Sequence, residues 1–539
     1  MESILHAYKR HQKLGWLLFL LIGACSAYFS KGLHQLDEHY QVIEWSRWIM
    51  GESFSQTWEA TQKLRHPLLS YWMAGYLKLG MGLGIQNPES LMLWARLLSF
   101  VFNGSIQLYC LYQFGKRLFS HSDQRLWFPF LFISSPFIYY FLVRTSSETY
   151  AMTFLLLSLT LMLNLTRLPT YLSQILAGFC TVVAFAMRFA VAAAFMGQLV
   201  ILFGQLRKRQ WGQFFAYGMG ILLGLMFFMF IEYEFYGEYF ASPIQYYQFN
   251  VGSGESASTF GIEPGFNFLT FFLVIFFPLN ILWLFKLIFK PHQLQCENNP
   301  AFAAIFLSLI VACISFTLVH LKIGHKEFRF LLPILPLLFI LIVFPLIQRP
   351  LITRKIWAAM IFLQIPIFFY LSSNYPIQLP VTRVGCNPMA WHRNKPTTMI
   401  WTEGAYRFYH FPAFYCGIPI EVLPLAQRFP VELVATQSEL RTYLKTLLPF
   451  APKKNDPIQP RFVRQDSWFY SDEERAAQLK TLPLLLSFSR KQPPKSIPEG
   501  CFLKRAPQPF DFLVRPLPSP IQNWFLSHNF YLYCAKPLS

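Results

Sequence analysis

About eleven stretches of this chain stay apolar over close to the ~20 residues that a helix needs to cross a bilayer. They run roughly over 14–30, 91–114, 126–143, 148–165, 171–187, 189–206, 212–232, 266–288, 301–320, 330–347 and 356–372. In lipid every backbone N–H and C=O must be bonded within the protein, so such stretches fold as a helix bundle. Composition agrees. Hydrophobic residues make up 54%, 58 residues are Phe, and only 14% are charged, well below the share in a soluble domain. The chain reads as a polytopic all-α membrane protein. No internal repeat or low-complexity tract is visible.

Charge orients the bundle. Lys9, Arg10 and Lys13 precede the first apolar run, which reads as a retained helix rather than a cleaved signal peptide, with the N-terminus in the cytoplasm. The sides then alternate. Lys116, Arg117 and Arg125 fall inside, as do Arg207-Lys208-Arg209, Lys290, Arg349, Arg354 and Lys355. The loop 233–265, with Glu234, Glu238, Glu255 and Glu263, falls outside. The net charge of +19 is scattered over short loops and a tail, which fits attraction to anionic lipid and no nucleic-acid partner. The sequence divides into a membrane module, 1–372, and a non-cytoplasmic tail, 373–539, of α+β character. In the tail Leu440 to Leu448 and Glu473 to Thr481 read as helices, and Thr398 to Trp401 and Phe530 to Tyr533 as strands. Its Cys386, Cys416, Cys501 and Cys534 permit disulfides in any of three connectivities or none.

Two charged clusters land on the outer face. The bend 321–330 carries His325-Lys326-Glu327-Phe328-Arg329-Phe330, with Pro333 and Pro336 behind it. Charge between two spans either anchors helix ends at the headgroups or faces a ligand. The outer loop 31–90 opens with Asp37-Glu38-His39-Tyr40-Gln41. From Asp37, the residues Val42, Ile43, Trp45, Trp48 and Ile49 read as an amphipathic helix along the membrane, with Asp37 as its N-cap.

Together these stretches resemble the polytopic mannosyltransferases of GPI-anchor and N-glycan precursor assembly, which have the GT-C fold. The chain is most similar to the member that adds the third mannose to the GPI precursor. The His-Lys-Glu stretch is the most specific match. An acidic pair followed by Glu44 and by Thr57-Trp58-Glu59 matches the first outer loop of that family. Arg144-Thr145 with Glu148, Arg188-Phe189 and Phe235-Tyr236-Gly237-Glu238 follow in order, from about residue 20 to 372. Phe189 replaces the family's usual Pro, and Glu232 stands where relatives commonly have Asp.

The resemblance implies an inverting glycosyltransferase. It would move mannose from a polyprenyl- or dolichyl-phosphate donor to a glycan or glycolipid acceptor. A carboxylate takes the acceptor proton, and cations stabilise the departing phosphate. Asp37 is then the base, with Glu38 orienting it. His325, Lys326 and Arg329 hold the donor phosphate. Glu327 pairs Lys326 or Arg329, and Glu44, Arg144 and Glu148 support the site. No Asp-x-Asp pair occurs, so no metal or other cofactor is expected. Two alternatives stand: the same fold moving another sugar to lipid A, cell-envelope glycan or protein, and a lipid or sugar transporter. Sequons at Asn103 and Asn164 both fall in predicted spans, and none lies in the outer loops or tail. The membrane is bacterial inner membrane or endoplasmic reticulum, with the former favoured. Reporter fusions at Glu52, Gly324 and the C-terminus are all expected to report the non-cytoplasmic side, and any one reporting cytoplasm breaks this topology.

Overall fold

The computed structural model describes residues 12–30, 37–51, 57–119, most of 125–265, 300–347, three positions between 362 and 365, and five strands beyond residue 396. The chain forms two compact units. One comprises Met1–Ala27, Lys63–Leu69 and Arg96–Phe368; the other comprises Tyr28–Gln62, Ser70–Ala95 and Phe369–Ser539.

In chain order the helices are α1 (Gln12–Phe29), a π-helix (Glu38–Ile43), α2 (Glu44–Met50), α3 (Trp58–Thr61), α4 (Leu68–Gly82) and α5 (Pro88–Leu118). Next come α6 (Trp127–Ile133), α7 (Pro136–Leu142), α8 (Ser147–Met162), α9 (Thr170–Met187), a 3-10 helix (Phe189–Phe195) and α10 (Met196–Arg207). Then follow α11 (Trp211–Tyr236), α12 (Ala241–Tyr247), a second π-helix (Gln248–Gly252), α13 (Pro300–Lys322), a second 3-10 helix (Phe328–Ile334) and α14 (Leu335–Ile347). Among the described residues five helical segments are long and apolar enough to span a membrane: Pro88–Leu118, Thr170–Met187, Phe189–Arg207, Trp211–Tyr236 and Ala303–Lys322. The expected span 126–143 is broken into α6 and α7, because Ser135 is extended and Pro136 restarts the helix. The expected span 266–288 and most of 356–372 lie outside the described residues.

Polar side chains inside the first unit set the order of its helices. Ser158 on α8 donates to Ala177 O on α9 at 2.9 Å, and Gln174 on α9 donates to Met162 O at 2.9 Å, so α8 and α9 are antiparallel. Thr181 meets Gln198 and Gln174 meets Gln205, both at 3.2 Å, so α10 folds back along α9. The turn between them is the extended residue Arg188 and the 3-10 helix after it. Two closely paired spans with Arg188 at their junction are thus present as expected. α11 runs parallel to α9 in close contact, since a Cβ on Gly178 or Gly220 would strike the backbone of Tyr217 or Ile175. Thr181, Gln198, Ser158 and Tyr217 bond to one another in this interior.

The two ends of this unit differ. Asn164, Gln174, Gln205 and Gln213 join at one end, in segments that the charge pattern assigns to the cytoplasmic face. At the other end Glu148, Arg188 and Arg329 meet. There Lys63 pairs with Glu238 at 2.6 Å, and Tyr236 donates to Arg65 O at 2.7 Å. Every one of these segments was assigned to the outer face. Asn103 is buried and bonded to Ser99 O and Thr153. Asn164 departs from expectation: it lies in an exposed turn just past α8.

The tail carries a five-stranded sheet of order β2-β1-β3-β5-β4, from β1 (Thr397–Trp401), β2 (Ile420–Pro424), β3 (Leu484–Ser489), β4 (Cys501–Arg505) and β5 (Asn529–Cys534). β1 is parallel to both neighbours, and β3, β5 and β4 pair antiparallel, with Cys501 opposite Cys534 in register. The strands expected at 398–401 and 530–533 are present. The tail helices expected at 440–448 and 473–481 lie outside the described residues.

Candidate functional site

In the first unit the site grows out of the bend that follows α13. Glu327 is extended, and its carbonyl accepts from Phe330 N–H at 3.0 Å, which starts the tight 3-10 turn. This geometry folds the charged side chains back on one another. The Glu327 carboxylate accepts two bonds from Arg329, from Nε at 2.8 Å and Nη2 at 2.9 Å. His325 Nε2 lies 3.1 Å from the same carboxylate. Of the two pairings open in the sequence, Glu327 therefore takes Arg329. Lys326 is buried and donates from Nζ to Ile323 O at 2.6 Å and Gly324 O at 3.3 Å. Burial works against the Glu327 charge, but Arg329 and His325 outweigh it and hold the carboxyl well below the usual carboxylate range.

Arg329 also reaches across the bundle. Its Nη1 is 3.5 Å from Glu148 Oε1 at the start of α8. The same oxygen lies 3.1 Å from Arg188 Nη1, at the break between α9 and the 3-10 helix. A line of alternating charge thus runs Arg188, Glu148, Arg329, Glu327. Phe330 packs beneath it, its ring centre 4.7 Å from the Arg188 guanidinium and 5.4 Å from that of Arg329. Arg144 is buried over Tyr140, 4.4 Å from its ring centre. Arg65 stands 5.4 Å over Tyr246. His66 beside it is buried and neutral: Nε2–H donates to Phe228 O at 3.1 Å, Nδ1 accepts from Leu68 N–H, and burial pulls its pKa down to about 3.

Asp37, Glu38 and Glu44 belong to the second unit. Asp37 does not cap: its own dihedrals are helical and it makes no side-chain cap bond. The segment after it does not lie as a half-solvated helix either. Glu38 to Arg47 is buried throughout, because its polar side finds partners within the protein. Glu44 takes His39 at 2.8 Å and Arg47 at 3.3 Å. Ser46 donates to Ser70 O, Ser70 donates to Gln41 O, and Trp45 donates to Thr57 at 2.6 Å. Glu38 opens a π-helix, a wide and uncommon turn often found at functional sites; a second π-helix lies at Gln248–Gly252.

The structure thus joins Glu148, His325, Lys326, Glu327 and Arg329 in one cluster of the first unit. Sequence reasoning noted Arg188 but did not place it in the site. Its signal was a cation at a span junction on the same face as the His-Lys-Glu bend.

A family model for the Alg9-like mannosyltransferases matches residues 14–382. The chain belongs to that family. No curated protein matches it in sequence. Two solved structures share its fold. ArnT from Cupriavidus metallidurans bound to undecaprenyl phosphate is 13% identical with a TM-score of 0.58, covering 97% of this chain and 99% of its own. The apo form of that protein is 11% identical with a TM-score of 0.55, covering 98% and 99%. This family member is therefore a multi-pass membrane glycosyltransferase of GT-C fold.

Because Glu327 is held ionised, its stabilising effect is present above the unfolded carboxylate value of about 4.3 and is lost as pH falls through the lower folded value. Glu327→Gln is expected to lower stability at pH 7 by about 1–3 kcal/mol, since it leaves Arg329 buried with less counter-charge. Thermal unfolding in detergent should show that gap narrowing toward pH 3. A gap independent of pH would mean that the carboxylate charge is not what stabilises.

Proposed function

We propose that this glycosyltransferase moves a mannosyl residue from a polyprenyl- or dolichyl-phosphate donor to a glycan or glycolipid acceptor, forming an α-linkage on the non-cytoplasmic face. The observation that carries the reading is the gathering of buried cations from separate segments at one end of the membrane unit. Arg188, Lys326 and Arg329 are each buried there, with Glu148 beside both arginines and Glu327 holding the Arg329 fork. Guanidinium and ammonium donors converging in one buried place suit an anionic ligand. A phosphate beside a lipid-embedded chain is such a ligand, and a neighbour of the same fold is described with undecaprenyl phosphate bound.

In this reading His325, Lys326 and Arg329 receive the phosphate, and Glu327 fixes the Arg329 fork in place. Asp37 takes the proton of the acceptor hydroxyl as its oxygen attacks the anomeric carbon. The bond from that carbon to the phosphate oxygen breaks, and its electron pair leaves with the phosphate. Attack from the opposite side inverts a β-linked donor into an α-linked product. Glu38 orients Asp37, and Glu44, Arg144 and Glu148 support these groups. The family match favours this chemistry over lipid or sugar transport.

Asp37→Asn tests the base. Asn keeps the size of Asp and an acceptor oxygen, so the change should leave expression and membrane insertion near wild type. Transfer from radiolabelled polyprenyl-phosphate mannose to a panel of lipid-linked glycans should fall about 10²–10⁴-fold. Glu38→Gln should cost less. Full activity in Asp37→Asn removes it as the base, and transfer only from other sugars redirects the donor assignment.

A further inference from the structure

Arg188 is buried to 4% exposure, yet among the described residues its Nε has no hydrogen-bond acceptor. Its Nη1 is close to Glu148 Oε1 but is not aligned for a hydrogen bond. A buried donor in that state costs free energy unless something else accepts from it. Its setting explains why nothing nearby does. Arg188 is the single extended residue between two apolar helices, so its side chain leaves the helix line and turns into the cluster. One face of the guanidinium is closed by Phe330. Burial weakens its charge, Glu148 and Tyr246 support it, and Arg65 and Arg329 repel it.

The bend residues are differently placed. Arg329 gives two N–H groups to Glu327, and Lys326 donates to two carbonyls of its own turn. The guanidinium with open N–H groups stands opposite them, across Glu148.

We propose that Arg188 is a ligand of the donor phosphate, with Glu148 as the resident counter-ion that a phosphate relieves. The inference rests on the lipid-phosphate donor reading above. A guanidinium fork matches phosphate oxygens better than an ammonium does. The donor phosphodiester carries one negative charge, and the released lipid phosphate carries up to two. A cation here therefore favours the departing state over the bound donor, which places its effect on kcat more than on KM.

The test uses the purified full chain in detergent. Binding is measured for undecaprenyl phosphate, for undecaprenol, and for inorganic phosphate as competitor. Wild type should prefer undecaprenyl phosphate to undecaprenol. Arg188→Gln should cut that preference about 10–100-fold, as for loss of charge-assisted hydrogen bonds, and leave undecaprenol binding unchanged. Arg188→Lys should recover part of the loss. Glu148→Gln should tighten phosphate binding, because it removes a negative charge from the seat. If Arg188→Gln does not fold, the Lys and Glu148→Gln variants carry the test.

An unchanged phosphate preference in Arg188→Gln would overturn the assignment while leaving the donor reading intact. So would equal damage to undecaprenol binding, no recovery with Lys, or weakened binding in Glu148→Gln, which would mark a structural ion pair. Competition by inorganic phosphate at similar concentration would make this a free-anion seat and overturn the lipid assignment. A wild-type chain with no preference for the phosphate would remove the donor reading, and this inference with it.

Discussion

The charge line Arg188, Glu148, Arg329, Glu327 is the interaction on which the membrane unit depends. Bringing any one of these groups out of water alone would cost several kcal/mol. Together they offset one another, and they fix three separate segments: the start of α8, the break after α9 and the bend after α13. Lys326 on the same bend, and Arg65 near enough to act on Arg188, bring further cations to this end. A bundle held only by apolar contact would have no reason to assemble this end.

At the opposite end and in the interior, neutral side chains make the bonds between helices. Gln205 donates from its side-chain amide to those of Gln174 and Gln213, and Thr181, Gln198, Ser158 and Tyr217 form a hydrogen-bonded interior group. Such contacts hold helices together where lipid gives no hydrophobic drive. The two ends therefore use different chemistry between helices, amide pairs at one and ion pairs at the other, according to which residues sit at the span junctions.

Much of this was legible in the sequence, and the reasons are specific. The spans at 91–114, 171–187, 189–206, 212–232 and 301–320 show because apolar length is a direct signal. The strands at 398–401 and 530–533 show through their β-branched and aromatic residues. The His325–Arg329 cluster shows because charge between two apolar runs is conspicuous. The pairing of Glu148 with both Arg188 and Arg329 was not legible, since no local pattern links residues so far apart in the chain. Asp37 read as a cap because Asp before an amphipathic pattern commonly is one. The burial of Glu38 to Arg47 defeats that pattern, as Glu44 finds His39 and Arg47 and needs no solvent. The break at Pro136 was readable in hindsight, because proline after an extended serine restarts a helix rather than continuing one.

The account stands on a phosphate completing the charged end of the membrane unit. A structure of the full chain with a polyprenyl-phosphate mannose tests this most directly. The account predicts phosphate density within hydrogen-bond reach of Arg188 and Arg329, with Glu148 drawn away from Arg188. Phosphate density remote from both guanidinium groups, with the ion pairs of Glu148 unchanged, would contradict it.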